Sequence, residues 1–377
     1  PEAELAVVKL KPAKKYLRDF YLIPSDAPAF QENDIMMGIK YLRMMADRLK
    51  KPLVILLAMG SNSGSHIGTS PLSQVTQNYS GFFGIITVIA CGNETGAAHH
   101  FYASIPAGTE YEDVEIRVGK EEAERGFVLE LWAADADTYT VGFISPSGER
   151  ISRIPIIANN ETSIPFLLDA TTITVNYQLI EAESGSQLIF MRFQTPAAGI
   201  WTVRVYNTQR FKGTFHMWLP VQGMISEETV FLRPDPYSTI TVPGNSRLPI
   251  TVGAYDTSTG GIYIHSSRGF TPNQIVKPEL AAPGVNILGP SVGRKPGSDT
   301  PMTTRTGTSA AAAITAGAAA NLLGWGIVEG NYPTMSEASV KSYLIRGAQR
   351  NPALTYPNRE FGYGTLDLFQ TFLRLRE

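Results

Sequence analysis

Residues 305–325 read RTGTSAAAAITAGAAANLLGW. A turn, Gly307-Thr308-Ser309, runs straight into an alanine-rich stretch that holds no charged residue. Alanine is the strongest helix former, so the stretch predicts a helix. With Ala, Ile and Leu all round, that helix has no solvent face and is expected inside a core. One hydroxyl, Ser309, then stands at its N-terminus. There the free N–H groups and the helix dipole favour developing negative charge. Two readings fit: a nucleophilic serine, and an N-cap serine that opens a core helix.

Three further blocks give this stretch a context. They are Ala90-Cys91-Gly92-Asn93-Glu94, Ser266-Ser267-Arg268-Gly269 and Leu280-Ala281-Ala282-Pro283-Gly284-Val285. With G-T-S-x-A, and in this order, they resemble the motifs of the subtilisin family (subtilases). The resemblance implies that Ser309 is the nucleophile and that the Asn93 side chain donates to the oxyanion. It also implies that Ala58-Met59-Gly60 pairs with the substrate backbone as an added strand. Ala90-Cys91-Gly92 would form the other side of the S1 pocket. Cys91 stands where the family has a small Ala; it narrows the pocket or is simply a small buried residue. One position departs from the pattern: the family usually has Pro four residues after the serine, and here it is Ala313.

Composition excludes several classes. The 377 residues are 43% hydrophobic and 18% charged, which is ordinary for a globular chain. A net charge of −2 gives no electrostatic reason to expect nucleic acid or an anionic membrane. No apolar run is expected to reach the roughly 18 residues of a membrane span. The one cysteine, Cys91, excludes an internal disulfide. No cluster of ligands suggests a metal, and no phosphate loop is present, so no cofactor is expected.

Along the chain, Leu5–Leu10 is a short apolar run and is expected to be a buried parallel strand. In the family pattern this strand follows the Asp and His motifs, so the sequence resembles a member cut in mid-domain. The exposed sheet flank is then expected to drive self-association. Residues 31–50 have helical spacing, with Ile35, Ile39, Leu42 and Met45 on one face. Leu53–Met59 and Gly84–Ala90 read as buried strands. Ser70-Pro71 reads as an N-cap with Pro at the first helical position. This alternation argues for a parallel α/β sheet with helices on its faces. Ligands bind at the carboxyl ends of such strands, where Met59-Gly60 and Gly92-Asn93 fall.

From about Ile105 the period changes to two. Residues 127–131, 139–143, 188–193, 201–205 and 214–218 alternate, separated by Pro, Gly and Asn turns. That spacing predicts an all-β sandwich or jelly roll. The expected organisation is an α/β segment over 1–104, an inserted β domain over 105–236, and an α/β segment with the serine over 237–377. A jelly-roll insertion, with the phrase FHMWLP, resembles the clostridial Csp germination-protease branch. That branch processes a spore cortex-lytic proenzyme, which implies a spore-associated or extracellular setting. A polar helix is expected from about Ser336 to Gly347. Phe361–Asp367 resembles the family's closing G-x-G-x-[LV]-[DN] turn.

Serine chemistry needs a hydroxyl, a base and oxyanion donors. The family's base lies in H-G-[TS], upstream of the first strand here. His66, in H-I-G-T, imitates that motif but follows the strand at 53–59. His99, His100, His216 and His265 read as structural. Asp256-Thr257-Ser258 departs from the family's D-[ST]-G. The expectation is a serine endopeptidase whose Asp and His lie in a segment not contained in this sequence, so that this chain alone is inactive. The alternative is a pseudoprotease that binds or regulates. Expected partners are a peptide or protein substrate and a propeptide or that further segment.

Overall fold

The computed structural model describes residues 3–134, 136–157, 160–291 and 302–375. Ile85–Ala90 is a strand apolar at every position but Thr87, and all six residues are buried. A central parallel strand, covered on both faces, requires that composition. It lies between Leu53–Leu57 and Ile250–Tyr255, and Leu280–Pro283 flanks the latter. All three pairings are parallel. Helix Thr308–Leu323 packs on one face, placing Ala311, Ala312, Ala319 and Leu322 against Val88, Val252 and Leu280. Helices Glu32–Leu49 and Pro71–Ser80 cover the other, with Ile39 and Leu72 over Ile55 and Ile89.

Local signals explain the helix ends. Ser70 caps its helix by accepting the Ser73 N–H, ahead of Pro71. Ser336 accepts from Ser339 N–H at the start of Glu337–Gly347. Asp367 accepts from Gln370 N–H and opens Leu368–Arg374.

The alternating segments fold into two antiparallel sheets. The six-stranded sheet runs, in spatial order, His100–Ser104, Thr214–Trp218, Phe127–Ala133, Leu188–Gln194, Thr172–Gln178 and Glu161–Pro165. The five-stranded sheet runs Val230–Phe231, Tyr111–Val118, Gly199–Gln209, Thr138–Ile144 and Arg150–Ile151. They share one core around Trp201, Tyr139, Tyr177, Phe143, Phe193 and Phe215. Period-2 patterning supplies each sheet with one inward face.

Three expectations need correction. Residues 5–10 form no strand: Leu5 and Val7 are 92% and 86% exposed. Val8 instead packs at Gly38 of helix Glu32–Leu49. A short apolar run carries no register information, so it lies on a helix as readily as in a sheet. The open sheet edge therefore belongs to Leu53–Leu57, where Leu56 is 40% exposed. The serine helix is not buried all round either, because Ser309, Ala313, Gly317 and Asn321 form an exposed stripe at i, i+4 spacing. Finally, Thr308–Val328 is long and apolar enough to cross a membrane by length and composition, with 44% of its apolar window buried inside the protein. Here it is the helix that packs on the parallel sheet.

Candidate active site

Backbone constraints place Ser309. Gly307 precedes the helix at φ 142°, ψ 168°, a conformation open to glycine. Its N–H donates to the Gly284 carbonyl at 2.8 Å. Gly284 must itself lack a side chain, since a Cβ there would stand 2.5 Å from the Ala254 Cβ. The Leu280–Gly284 block thereby fixes the turn that delivers Ser309. The serine is exposed, and its hydroxyl donates to the Ala58 carbonyl at 3.2 Å. As the second residue of the helix, its N–H has no acceptor within the helix.

Asn93 follows the central strand, beyond a turn at Gly92 with φ 102°. Its Oδ1 accepts the Thr308 N–H at 3.0 Å. That bond assigns the amide: Oδ1 faces the helix start, and the Nδ2 hydrogens are left as donors. Among the described residues no acceptor engages them. Asn93, Ser309 and Ala58 are thus tied together where the parallel strands end, the usual place for a ligand in such a sheet.

The two expected walls differ. Ala58, Met59 and Gly60 are exposed, and among the described residues no backbone hydrogen bond engages Met59 or Gly60. Such a strip is free to pair with an extended peptide. Ala90 and Cys91 are 4% and 0% exposed. The Cys91 thiol faces inward to the Ser266 hydroxyl at 3.6 Å and the Ser267 carbonyl at 3.4 Å. Burial pushes it up to about 12, so the thiol is inert. Gly92 is half-buried.

Sequence reading missed Thr241, which lies between these walls. A Cβ at Gly60 would collide with its hydroxyl, and one at Gly92 would come 2.6 Å from its Cγ2. Its N–H and hydroxyl both donate to the Cys91 carbonyl, at 3.0 and 3.3 Å. The next residue, Val242, pairs with Ser61 through both backbone groups, at 2.8 and 2.9 Å. The only local signal was a Thr-Ile-Thr-Val alternation, which says strand and nothing about a cleft.

The histidines serve other contacts. His66 is buried, with ring nitrogens at the carbonyls of Asn62 (3.0 Å) and Ile240 (3.2 Å). It is no partner for Ser309, so the H-I-G-T likeness is local only. His100 Nε2 and His216 Nδ1 are 2.9 Å apart. His99 Nδ1 meets the Glu94 carboxylate at 2.9 Å. His265 packs edge-on to Tyr263 and lies beside Gly96. Asp256 accepts from the Ser258 hydroxyl and N–H, which hold its carboxyl below the usual range.

The subtilase family (peptidase S8) profile matches residues 233–364. The CspB protease of Clostridium perfringens has a similar structure: TM-score 0.83 and 30% identity over 93% of this chain and 72% of that one. The prenylagaramide maturation protease PagA gives 29% identity and TM-score 0.30, over 37% of this chain and 46% of its own. The patellamide maturation protease PatA gives 27% and 0.29, over 37% and 47%. No curated protein sequence matches. The likeness to the CspB protease covers 93% of this chain, so the chain belongs to the subtilase family of subtilisin-like serine proteases.

Proposed function

We propose that these residues are the serine-bearing part of a subtilisin-type endopeptidase. Ser309 Oγ attacks the peptide carbonyl and loses its proton to a base. The oxyanion is held by the Asn93 Nδ2 hydrogens and the Ser309 N–H. The C–N bond then breaks, the base returns the proton to the leaving amine, and water hydrolyses the acyl-enzyme. The observation that carries this reading is the Thr308 N–H bond to Asn93 Oδ1, which aims free amide hydrogens from beside the serine. A site without chemistry has no need of that pair.

The peptide lies along Ala58-Met59-Gly60. Ala90, Cys91 and Gly92 back the opposite side, the first two through buried support, and Thr241 between the walls restricts P1 to small side chains. In this reading a further segment supplies the base and its carboxylate, since His66, His99, His100 and His216 are engaged elsewhere and His265 packs on Tyr263. The chain alone is then inactive, because a triad acts as a unit. Its partners are a peptide or protein substrate and the propeptide or segment that brings the base. Self-association through the Leu53–Leu57 edge belongs to the same reading.

The strand orders support a jelly roll over 105–236, between α/β segments 1–104 and 237–377. Strand His100–Ser104, just before that boundary, pairs with Thr214–Trp218, and the next strand, Tyr111–Val118, with Gly199–Gln209. A long hairpin rolled over two sheets gives that pairing.

The second reading, a pseudoprotease, is favoured by one observation: the Ser309 hydroxyl donates to a backbone carbonyl and not to a ring nitrogen. A fluorophosphonate probe with peptide mapping separates the two. Labelling of Ser309 in the full-length protein, absent in residues 1–377 alone, is expected. Labelling in neither favours the pseudoprotease, and labelling in the isolated chain contradicts its inactivity.

A further inference from the structure

We propose that Glu94 is a positioning residue for the Asn93 amide, and that it works through the β insertion. The proposal rests on Asn93 acting as the oxyanion donor. Glu94 follows Asn93 directly and is 5% exposed. Its N–H donates to the Ser267 hydroxyl at 3.0 Å. Oε1 accepts the Gln222 N–H at 3.1 Å. Oε2 meets His99 Nδ1 at 2.9 Å and Asn62 Nδ2 at 3.3 Å. The Asn62 amide donates in turn to the Leu219 carbonyl at 3.0 Å.

Four separate segments therefore converge on one residue, three at its carboxylate and the Ser266–Ser267 turn at its N–H. One is the loop that continues the Ala58–Gly60 strip, and another is the Ser266–Ser267 turn. The third is His99, whose carbonyl accepts the Leu219 N–H at 2.9 Å. The fourth is Leu219–Gln222, the chain that leaves the insertion's strand Thr214–Trp218. A polar side chain this deeply buried needs its donors in place. Here they hold the backbone of the 93–94 turn, while the Thr308 N–H holds the amide at its other end. Asn93 is thus held at its amide by the Thr308 N–H and, through the chain, by the partners of Glu94. The insertion supplies two of the groups involved, the Gln222 N–H and the Leu219 carbonyl, so it buttresses the catalytic turn. An apolar residue at 94 would leave three donors seeking acceptors, and the turn would have to move to provide them.

The experiment uses the full-length protein with Glu94→Ala, Glu94→Gln and the milder Asn62→Ala. One readout is peptide hydrolysis, with active sites counted by fluorophosphonate titration. The other is hydrogen exchange at the Thr308 amide, which reports the bond to Asn93 whether or not the protein turns over. For Glu94→Ala we expect kcat to fall about 10–100-fold with KM within about threefold. Thr308 exchange should accelerate at least about tenfold while Ile85–Ala90 keeps its protection. Glu94→Gln should restore most of both, since its amide oxygen still accepts the Gln222 N–H, and Asn62→Ala should move both in the same direction by less. Unchanged Thr308 exchange in Glu94→Ala overturns the proposal. So does exchange that rises equally along Ile85–Ala90, because that is general destabilisation. Should Glu94→Ala fail to fold, Asn62→Ala and Glu94→Gln decide by the same two readouts. If wild type and Ser309→Ala are equally inactive, the peptidase reading fails, and Thr308 exchange still decides whether Glu94 positions Asn93.

Discussion

The imidazole of His66 lies flat on the indole of Trp218, with ring centroids 3.8 Å apart and planes 3° from parallel. The stack joins the loop after Gly60 to strand Thr214–Trp218, and His100 and His216 stack on the same indole. Burial pushes His66 and His100 down to about 4. Burial, then the neighbouring His100 and His66, holds His216 well below its ordinary 6.5. The folded protein keeps these rings neutral where the unfolded chain protonates them. Between pH 6.5 and about 4 the unfolded state binds more protons, so the cluster removes stability as pH falls. Burial raises the Glu130 carboxyl, which acts in the opposite sense, so the test is differential. His216→Gln removes one titrating ring. From pH 7 to pH 5 the stability gap should move by roughly 1–2 kcal/mol in the variant's favour, read by urea melts on tryptophan fluorescence. Parallel pH profiles for the two proteins would refute a neutral His216.

Thr241 suggests a specificity test. Its side chain fills the space between Gly60 and Gly92, so Thr241→Gly should deepen the cleft there. For substrates with Leu or Phe at P1, kcat/KM should rise relative to Ala by about tenfold or more, the value of a methylene or two in an apolar pocket. Thr241→Val keeps the volume and should keep the preference. A P1 profile that ignores Thr241→Gly places the pocket elsewhere.

Much of this fold was legible because its signals are local. Ser70, Ser336 and Asp367 announce helix starts through hydrogen bonds that span three residues. The strand Gly199–Gln209 is visible because its alternation encodes one buried face, whereas Phe127–Ala133, buried at every position, shows as a largely apolar run. Leu5–Leu10 failed for the converse reason: a short apolar run does not say what it packs against. The site's supports were invisible because they are tertiary. Glu94 meets Gln222 across 128 positions, and Thr241 meets Cys91 across 150. Nothing in Thr-Ile-Thr-Val or Gly-Asn-Glu marks those partners. Ser309 and Asn93 stood out only because each sits in a turn with its own local pattern.

Behind the sheet, Glu337 offers a stability test with the opposite sign to the histidines. Its Oε2 accepts the Thr87 N–H at 2.6 Å, and among the described residues its buried Oε1 finds no hydrogen-bond partner. Burial raises its pKa to about 8, so the folded protein holds it protonated at neutrality. Its unfolded value is near 4.5, so the folded state binds the extra proton between 4.5 and 8. Stability is present below that window and is lost as pH rises through it. Glu337→Gln mimics the protonated acid. It should match wild type near pH 5 and exceed it at pH 9 by roughly 3–5 kcal/mol at most. Denaturation midpoints at the two pH values check this, and a variant advantage that does not grow with pH counts against a protonated Glu337.

Asn93→Asp separates the two functions of one side chain. Asn93 accepts the Thr308 N–H through Oδ1, and its Nδ2 hydrogens are the donors proposed for the oxyanion. Aspartate keeps an oxygen for Thr308, and a carboxylate at a helix N-terminus is favoured by the dipole. The fold should therefore be unharmed, with thermal unfolding within a few degrees of wild type. The second oxygen, however, presents negative charge where an oxyanion must form. Losing one oxyanion donor costs about 10²–10³ in turnover, and repulsion adds to that. In the full-length protein kcat should fall by about 10³ or more, while KM changes little because the ground-state carbonyl carries only partial charge. Asn93→Ala should lose less turnover and more stability, since it leaves the Thr308 N–H unpaired without adding charge. If Asn93 were only a turn residue, the order would reverse: the aspartate variant would turn over like wild type and the alanine variant would be the poorer enzyme.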